Sequence, residues 1–171
     1  MYSLCYLYAM KMLYVIRHAK SSWSEPGLDD FERPLNERGQ KDAPEMAQRL
    51  KKKGVKPDLI ISSTALRAYR TAQIFAEALD YAYDRIALKP DLYETDIETV
   101  FEVVRGIDPQ AETVLIFGHN PTLTYFVNDL AATRIDNIPT AGIAAVALDG
   151  CWSEAKENGG KLVWFDYPKN H

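Results

Sequence analysis

The chain predicts an α/β fold: a three-layer sandwich in which helices cover both faces of a mostly parallel central sheet. Its strand candidates are short, continuous apolar runs such as TVLIF at 113–117, which suit strands buried on both faces. Helical patterns lie between them, as crossover connections between parallel strands require. Two of the runs also end on a histidine, MLYVI on Arg17-His18 and TVLIFG on His119-Asn120-Pro121. Both histidines thus fall beyond the carboxyl ends of strands, where open α/β sheets form their crevices.

The first strand is expected at 12–16. A helix follows Asn36, because Ala43, Met46, Ala47 and Leu50 recur at the i, i+3, i+4, i+7 spacing of a buried face, and Gly54 ends it. Pro44 lies inside that pattern and is expected to kink the helix or delay its regular part. Lys51-Lys52-Lys53 reads as a solvated helix end, where positive charge suits the dipole. A strand at 58–62 comes next, then a helix from about Thr64 to Leu79 with Leu66, Tyr69, Ile74, Phe75 and Ala78 inward. A weaker strand is expected at 86–88, a helix at 97–104 and a strand at 113–117. A fourth helix starts with Asn120 as cap and Pro121 at its first position. Strands at 143–148 and 162–165 complete the order, with no repeat, low-complexity stretch or linker.

At 171 residues the chain fits one domain, 1–171, in which 1–11 form a possible N-terminal extension. It is 47% hydrophobic and 26% charged, with a net charge of −4, and lacks the surplus of basic residues typical of nucleic-acid binders. Residues 1–10, MYSLCYLYAM, lack the basic start and small-residue cleavage site of a signal peptide. Met10 or Met12 are candidate starts alongside Met1. No run approaches the roughly 20 apolar residues that span a bilayer, so no membrane partner is expected. Cys5 and Cys151 have no metal-ligand partner at short spacing, so neither a disulfide framework nor a zinc site is indicated. A cytoplasmic location is the expectation.

Apart from His171, the last residue, His18 and His119 are the chain's histidines. Each alone reads as a structural histidine at a strand end. Arg67 and Arg70 occupy the first turns of a helix, where the dipole disfavours positive charge by about 0.3–1 kcal/mol each. The bland reading leaves both in solvent or paired with an acid. The functional one points Arg67 into the crevice beside Arg17 as a bidentate clamp for phosphate or carboxylate. Ser63 and Thr64 would add hydroxyls and backbone N–H groups at the same mouth. Two imidazoles and two guanidiniums around one cavity call for a neutralising anion, which favours phosphate chemistry.

The ordered segments LYVIRHAKSSW (13–23), DFERPLNERG (30–39), ISSTALRAYRTA (61–72), LYE (92–94), LIFGHNPTL (115–123) and IPTAGIAAVALD (138–149) resemble the histidine phosphatase superfamily, which has the phosphoglycerate mutase-like fold. The Ala-Lys-Ser-Ser-Trp continuation and Gly-His-Asn-Pro are most similar to its SixA-type phosphohistidine phosphatases. The resemblance covers nearly all of 12–149. It implies that His18 attacks phosphorus and forms a phosphohistidine intermediate, while Arg17, Arg67 and a protonated His119 bind the phosphoryl oxygens. Ser21 would donate a further hydrogen bond, and Glu94 would be the proton donor for substrates whose leaving group needs one. Arg33-Pro34-Leu35 and Thr140-Ala141-Gly142 read as structural, and Asp29 and Asp30 as loop acids.

No metal or organic cofactor is implied, and inorganic phosphate would be the product. A phosphohistidine-bearing protein needs an open site, and a chain this short has little room for an inserted cap. The alternatives are a phosphatase of a small phosphomonoester and, from a different class, a non-catalytic phosphate-binding module. A mutase fits less well, because it must enclose its phosphoenzyme against water.

Overall fold

The computed structural model describes residues 10–170. Residues 1–9 of the segment weighed as a signal peptide, Cys5 among them, and His171 lie outside the described residues. Six strands form one sheet: β1 (Lys11–Arg17), β2 (Leu59–Ser62), β3 (Ala87–Leu88), β4 (Thr113–Gly118), β5 (Ile143–Leu148) and β6 (Gly160–Asp166). Their order is β3-β2-β4-β1-β5-β6. The four members from β3 to β1 are mutually parallel, while β5 and β6 run antiparallel at the other edge. The mostly parallel three-layer arrangement is therefore as expected, and each expected strand occurs within two residues of its assigned bounds.

Alternation along the strands sorts the core into two layers. Leu13 and Val15 of β1 pack with Val114 and Ile116 of β4 under α3 (Ile97–Arg105) and α4 (Thr122–Ala131), which contribute Val100, Phe101, Val104, Phe126 and Val127. Tyr14 and Ile16 point the other way, with Leu115 and Phe117, under α1 (Glu37–Lys52) and α2 (Leu66–Ala78). Phe75 of α2 meets Phe117 edge-on with ring centroids 5.1 Å apart. Burial on both faces explains why these strands read as unbroken apolar runs.

Asn36 caps α1, its side chain accepting from Gly39 N–H at 2.9 Å, and the helix is continuous through Pro44. Ala43, Met46, Ala47 and Leu50 are buried as expected, and Lys51, Lys52 and Lys53 are exposed. Two expectations need correction. Of the inward residues expected on α2, Phe75 is buried and Tyr69, Ile74 and Ala78 pack partly buried against the core, but Leu66 is exposed, and the fully buried stripe is Arg67, Ala68, Thr71, Ala72, Phe75 and Ala76. Pro121, not Asn120, takes the cap position of α4, although Asn120 Oδ1 still accepts from Thr124 N–H at 3.3 Å.

Cys151 is disulfide-bonded, and its partner lies outside the described residues. This corrects the reading of two thiols, since pairing depends on what the fold brings within bonding reach rather than on sequence spacing. Among the described residues no helix is long and apolar enough to cross a membrane.

Candidate active site

The register of the two central strands sets the site. Arg17 of β1 is level with Gly118 of β4, so His18 and His119, one residue further along each strand, emerge side by side. His18 N–H donates to the Gly118 carbonyl at 3.1 Å, and the imidazole centroids stand 5.2 Å apart. On the far side of β4, β2 delivers α2, whose second residue, Arg67, reaches across so that its Nε lies 3.4 Å from His18 Nε2. Burial is nearly complete for His18 and Arg67.

His18 has its tautomer set by the chain. Its Nδ1 lies 2.7 Å from the Ala19 carbonyl, which can only accept, so Nδ1 carries the hydrogen and Nε2 presents a lone pair. The loop is held in turn, because Ala19 N–H donates to Thr71 Oγ1 at 3.0 Å and Thr71 donates to the Arg67 carbonyl at 2.7 Å. Burial drives the His18 pKa down to about 3, with His119, Arg67 and Arg17 acting in the same direction against the Ala19 bond. His18 is neutral at any physiological pH.

His119 shares a hydrogen bond with the Ser63 hydroxyl at 2.8 Å through Nε2, while its Nδ1 is buried without a protein partner. Burial, then Arg67, and to a lesser extent Arg17 and Arg33, push its pKa down to about 4, with Asp30 opposing. Without an anion the protein therefore holds His119 neutral, because burial and three nearby cations oppose a further charge; its expected protonation concerns the phosphate-bound site.

Arg17 donates through Nη1 to the Ile138 carbonyl at 3.0 Å, and its Nε is buried without a partner. Asn120 Nδ2 binds the same carbonyl at 2.9 Å, linking the start of α4 to the arginine's anchor. Ala141, at φ 61, sends its N–H to the Arg17 and His18 carbonyls at 3.1 and 3.2 Å. The 140–142 segment thus clasps the backbone of the pair, in keeping with its structural reading.

Arg17, His18, Arg67 and His119 come together as expected. Ser21 is buried and bridges to Leu35, but among the described residues no hydrogen bond joins its hydroxyl to the four. Glu94 is exposed, at φ 51, and among the described residues no hydrogen bond or ion pair joins it to the four; its charge is felt by its neighbour Tyr93. Arg70 is exposed and pairs with Gln73, so the bland reading holds for it.

Three residues not among the expected site residues, Asp30, Tyr93 and Arg33, border the cluster. Asp30 accepts from Arg67 Nη2 at 3.0 Å and from the Tyr93 hydroxyl at 2.8 Å. Tyr93 also stands edge-on to His119, centroids 5.7 Å apart, and Arg33 lies under the Trp23 ring at 3.4 Å. The signal for Asp30 and Arg33 was their place in the DFERPL segment, where two buried-capable charges three residues apart bracket one turn.

The cluster offers one neutral, oriented nitrogen lone pair, two guanidiniums and an imidazole that can take up a proton, which suits in-line transfer of a phosphoryl group. Among the described residues no group of three or more His, Cys, Asp or Glu is placed to hold a metal ion.

The sequence profile of the histidine phosphatase superfamily (branch 1) matches residues 13–102. The chain is 32% identical over 164 residues to an uncharacterized protein of Mycobacterium tuberculosis, covering 90% of this chain and 100% of that one. The structure of SixA from Agrobacterium tumefaciens matches with a TM-score of 0.78 at 29% identity, over 92% of this chain and 98% of that one. A protein histidine phosphatase SixA complexed with tungstate has the same fold, with a TM-score of 0.80 at 24% identity over 93% and 98% of the two chains.

Proposed function

The chain belongs to the histidine phosphatase superfamily and is a phosphatase, and we propose that it works without a metal, through a phosphohistidine intermediate on His18, on phosphohistidine carried by proteins. The observation that carries this reading is the Ala19 carbonyl on His18 Nδ1, which leaves Nε2 neutral and aimed at the arginine that would hold the substrate. In the first step the Nε2 lone pair attacks phosphorus and the bond to the leaving group breaks, its electron pair departing on that atom. Arg17 and Arg67 take the charge that develops on the phosphoryl oxygens, and His119, protonated as the dianion arrives, takes part of it. Water then attacks phosphorus, the pair of the N–P bond returns to Nε2, and inorganic phosphate leaves.

Site access favours a protein substrate. The segments that follow the four parallel strands, 18–36, 63–65, 89–96 and 119–121, carry 3-10 turns, the single Ser21–Leu35 bridge and no inserted cap. One observation supports the second reading, a small phosphomonoester: Glu94 follows Tyr93, whose ring stands edge-on to His119 at 5.7 Å, so an alkoxide leaving the site could take its proton from it. We assign it the proton-donor role for such substrates only, since a protonated imidazole leaves readily unaided.

The test is phosphate release, in EDTA, from a phosphohistidine protein and from p-nitrophenyl phosphate, by wild type and His18→Ala. Activity lost in the variant, with an acid-labile phosphoenzyme trapped only in wild type, is the expected result. A small metabolite preferred by orders of magnitude in kcat/KM would move the substrate to the second reading. No turnover by wild type, with phosphate still bound, would make the chain a binding module.

A further inference from the structure

We propose that Asp30 is the positioning residue for Arg67, gripping the terminal nitrogens of its guanidinium so that Nε stays on His18. The proposal rests on the reading that Arg67 binds the transferred phosphoryl group. Arg67 Nη1 donates to the Asp30 backbone carbonyl at 2.6 Å and Nη2 to its carboxylate at 3.0 Å. Both terminal nitrogens thus go to one residue, and the remaining nitrogen, Nε, is the one 3.4 Å from His18 Nε2. Among the described residues the guanidinium has no other hydrogen-bond acceptor. A long arginine side chain has many rotamers to choose among, and this one starts from the first turn of a helix, whose dipole repels it. Its orientation needs a partner, and Asp30 supplies it.

Asp30 is itself held from two further sides. Its Oδ2 accepts from the Tyr93 hydroxyl at 2.8 Å, and its Oδ1 lies 3.1 Å from Arg33 Nε, an ionic contact not directed as a hydrogen bond. Burial would raise the Asp30 pKa, but the Tyr93 hydroxyl and Arg67 hold it below the ordinary carboxylate value, so the grip is charged at neutral pH. The turn Asp30–Glu32 is closed by Glu32 N–H on the Asp29 carbonyl at 3.0 Å, and Phe31 braces Tyr93 edge-on at 5.1 Å. The carboxylate thus binds the end of the guanidinium and leaves its Nε edge for the reaction.

A negative group this close to the phosphoryl site opposes simple binding of a dianion while improving the aim of Arg67. Asp30→Ala is therefore expected to lower kcat on p-nitrophenyl phosphate by about 10- to 100-fold, while inorganic phosphate binds as tightly as to wild type or more tightly. Asp30→Asn keeps an acceptor for Nη2 and for Tyr93 and is expected to recover most of kcat, which also guards against misfolding of the alanine variant. In an Arg67→Lys background, which removes the grip, adding Asp30→Ala should change kcat by less than about threefold. Full, multiplicative losses in the double variant, or no loss in the single one, would overturn the proposal. If wild type releases no phosphate, the functional reading fails on its own, and the same cycle is read in phosphate affinity: non-additive effects support the grip and additive ones overturn it.

Discussion

His18 and His119 stand with ring centroids 5.2 Å apart at the ends of two hydrogen-bonded parallel strands, and both are neutral. One is locked in a tautomer by a backbone carbonyl, and the other keeps a buried nitrogen without a protein partner. The pair thus divides into an imidazole with an oriented Nε2 lone pair and one with a buried nitrogen open to a further partner, which under the proposed function are the nucleophile and the group that takes up a proton when an anion arrives.

Acid stability should report this neutrality. The folded pKa values of about 3 and about 4 lie below the ordinary 6.5, so between pH 6.5 and 4 the unfolded chain binds more protons than the folded one. Stability is full above pH 6.5 and is lost as pH falls through that window, by about 1.4 kcal/mol per pH unit for each imidazole. Urea unfolding at pH 6.5 and 4.5 checks this against a His18→Ala/His119→Ala variant, whose slope should be shallower.

Anion binding should protonate His119. Sulfate remains a dianion across the range, so at pH 6 its binding is expected to draw up to one proton from the buffer. Calorimetry in buffers of different ionisation enthalpy measures it. A binding enthalpy independent of buffer would assign the anion's charge to the arginines alone.

Glu94→Gln should lower hydrolysis of an alkyl phosphate more than that of phosphohistidine, by about 10²-fold against little change. The comparison is of kcat on the two substrates. Equal losses would remove the proton-donor role and leave Glu94 a surface acid.

Gly39→Ala should injure both stability and activity although it lies outside the site. A Cβ there would fall 2.1 Å from the Lys20 carbonyl oxygen, which accepts from Asn36 N–H at 3.0 Å and ties the start of α1 to the loop after His18. The expected cost is about 1–3 kcal/mol, the range for overpacked sites. Urea unfolding and kcat together check it, and an unchanged stability would mean that the loop gives way freely.

The sequence by itself determined the sheet, its helices and the meeting of two histidines. Continuous apolar runs such as TVLIF have one economical place, the buried middle of a covered sheet, and strands of that kind put whatever follows them at a common edge. The Asn36 cap and the Ala43, Met46, Ala47 and Leu50 face were legible because both depend on neighbours within a few residues. Arg67 was legible as an arginine set against a helix dipole.

Only the tertiary structure decided which charges meet. Asp30 reads as an ordinary loop acid until a short turn carries it to Arg67, 37 positions along the chain, and to the hydroxyl of Tyr93. The tautomer of His18, the neutral state of His119 and the rotation of α2 that buries Arg67 while exposing Leu66 also follow from packing. The physical reason is range: hydrophobic periodicity and capping act between residues near in sequence, whereas desolvation and ion pairing depend on distances that exist only after the chain has folded.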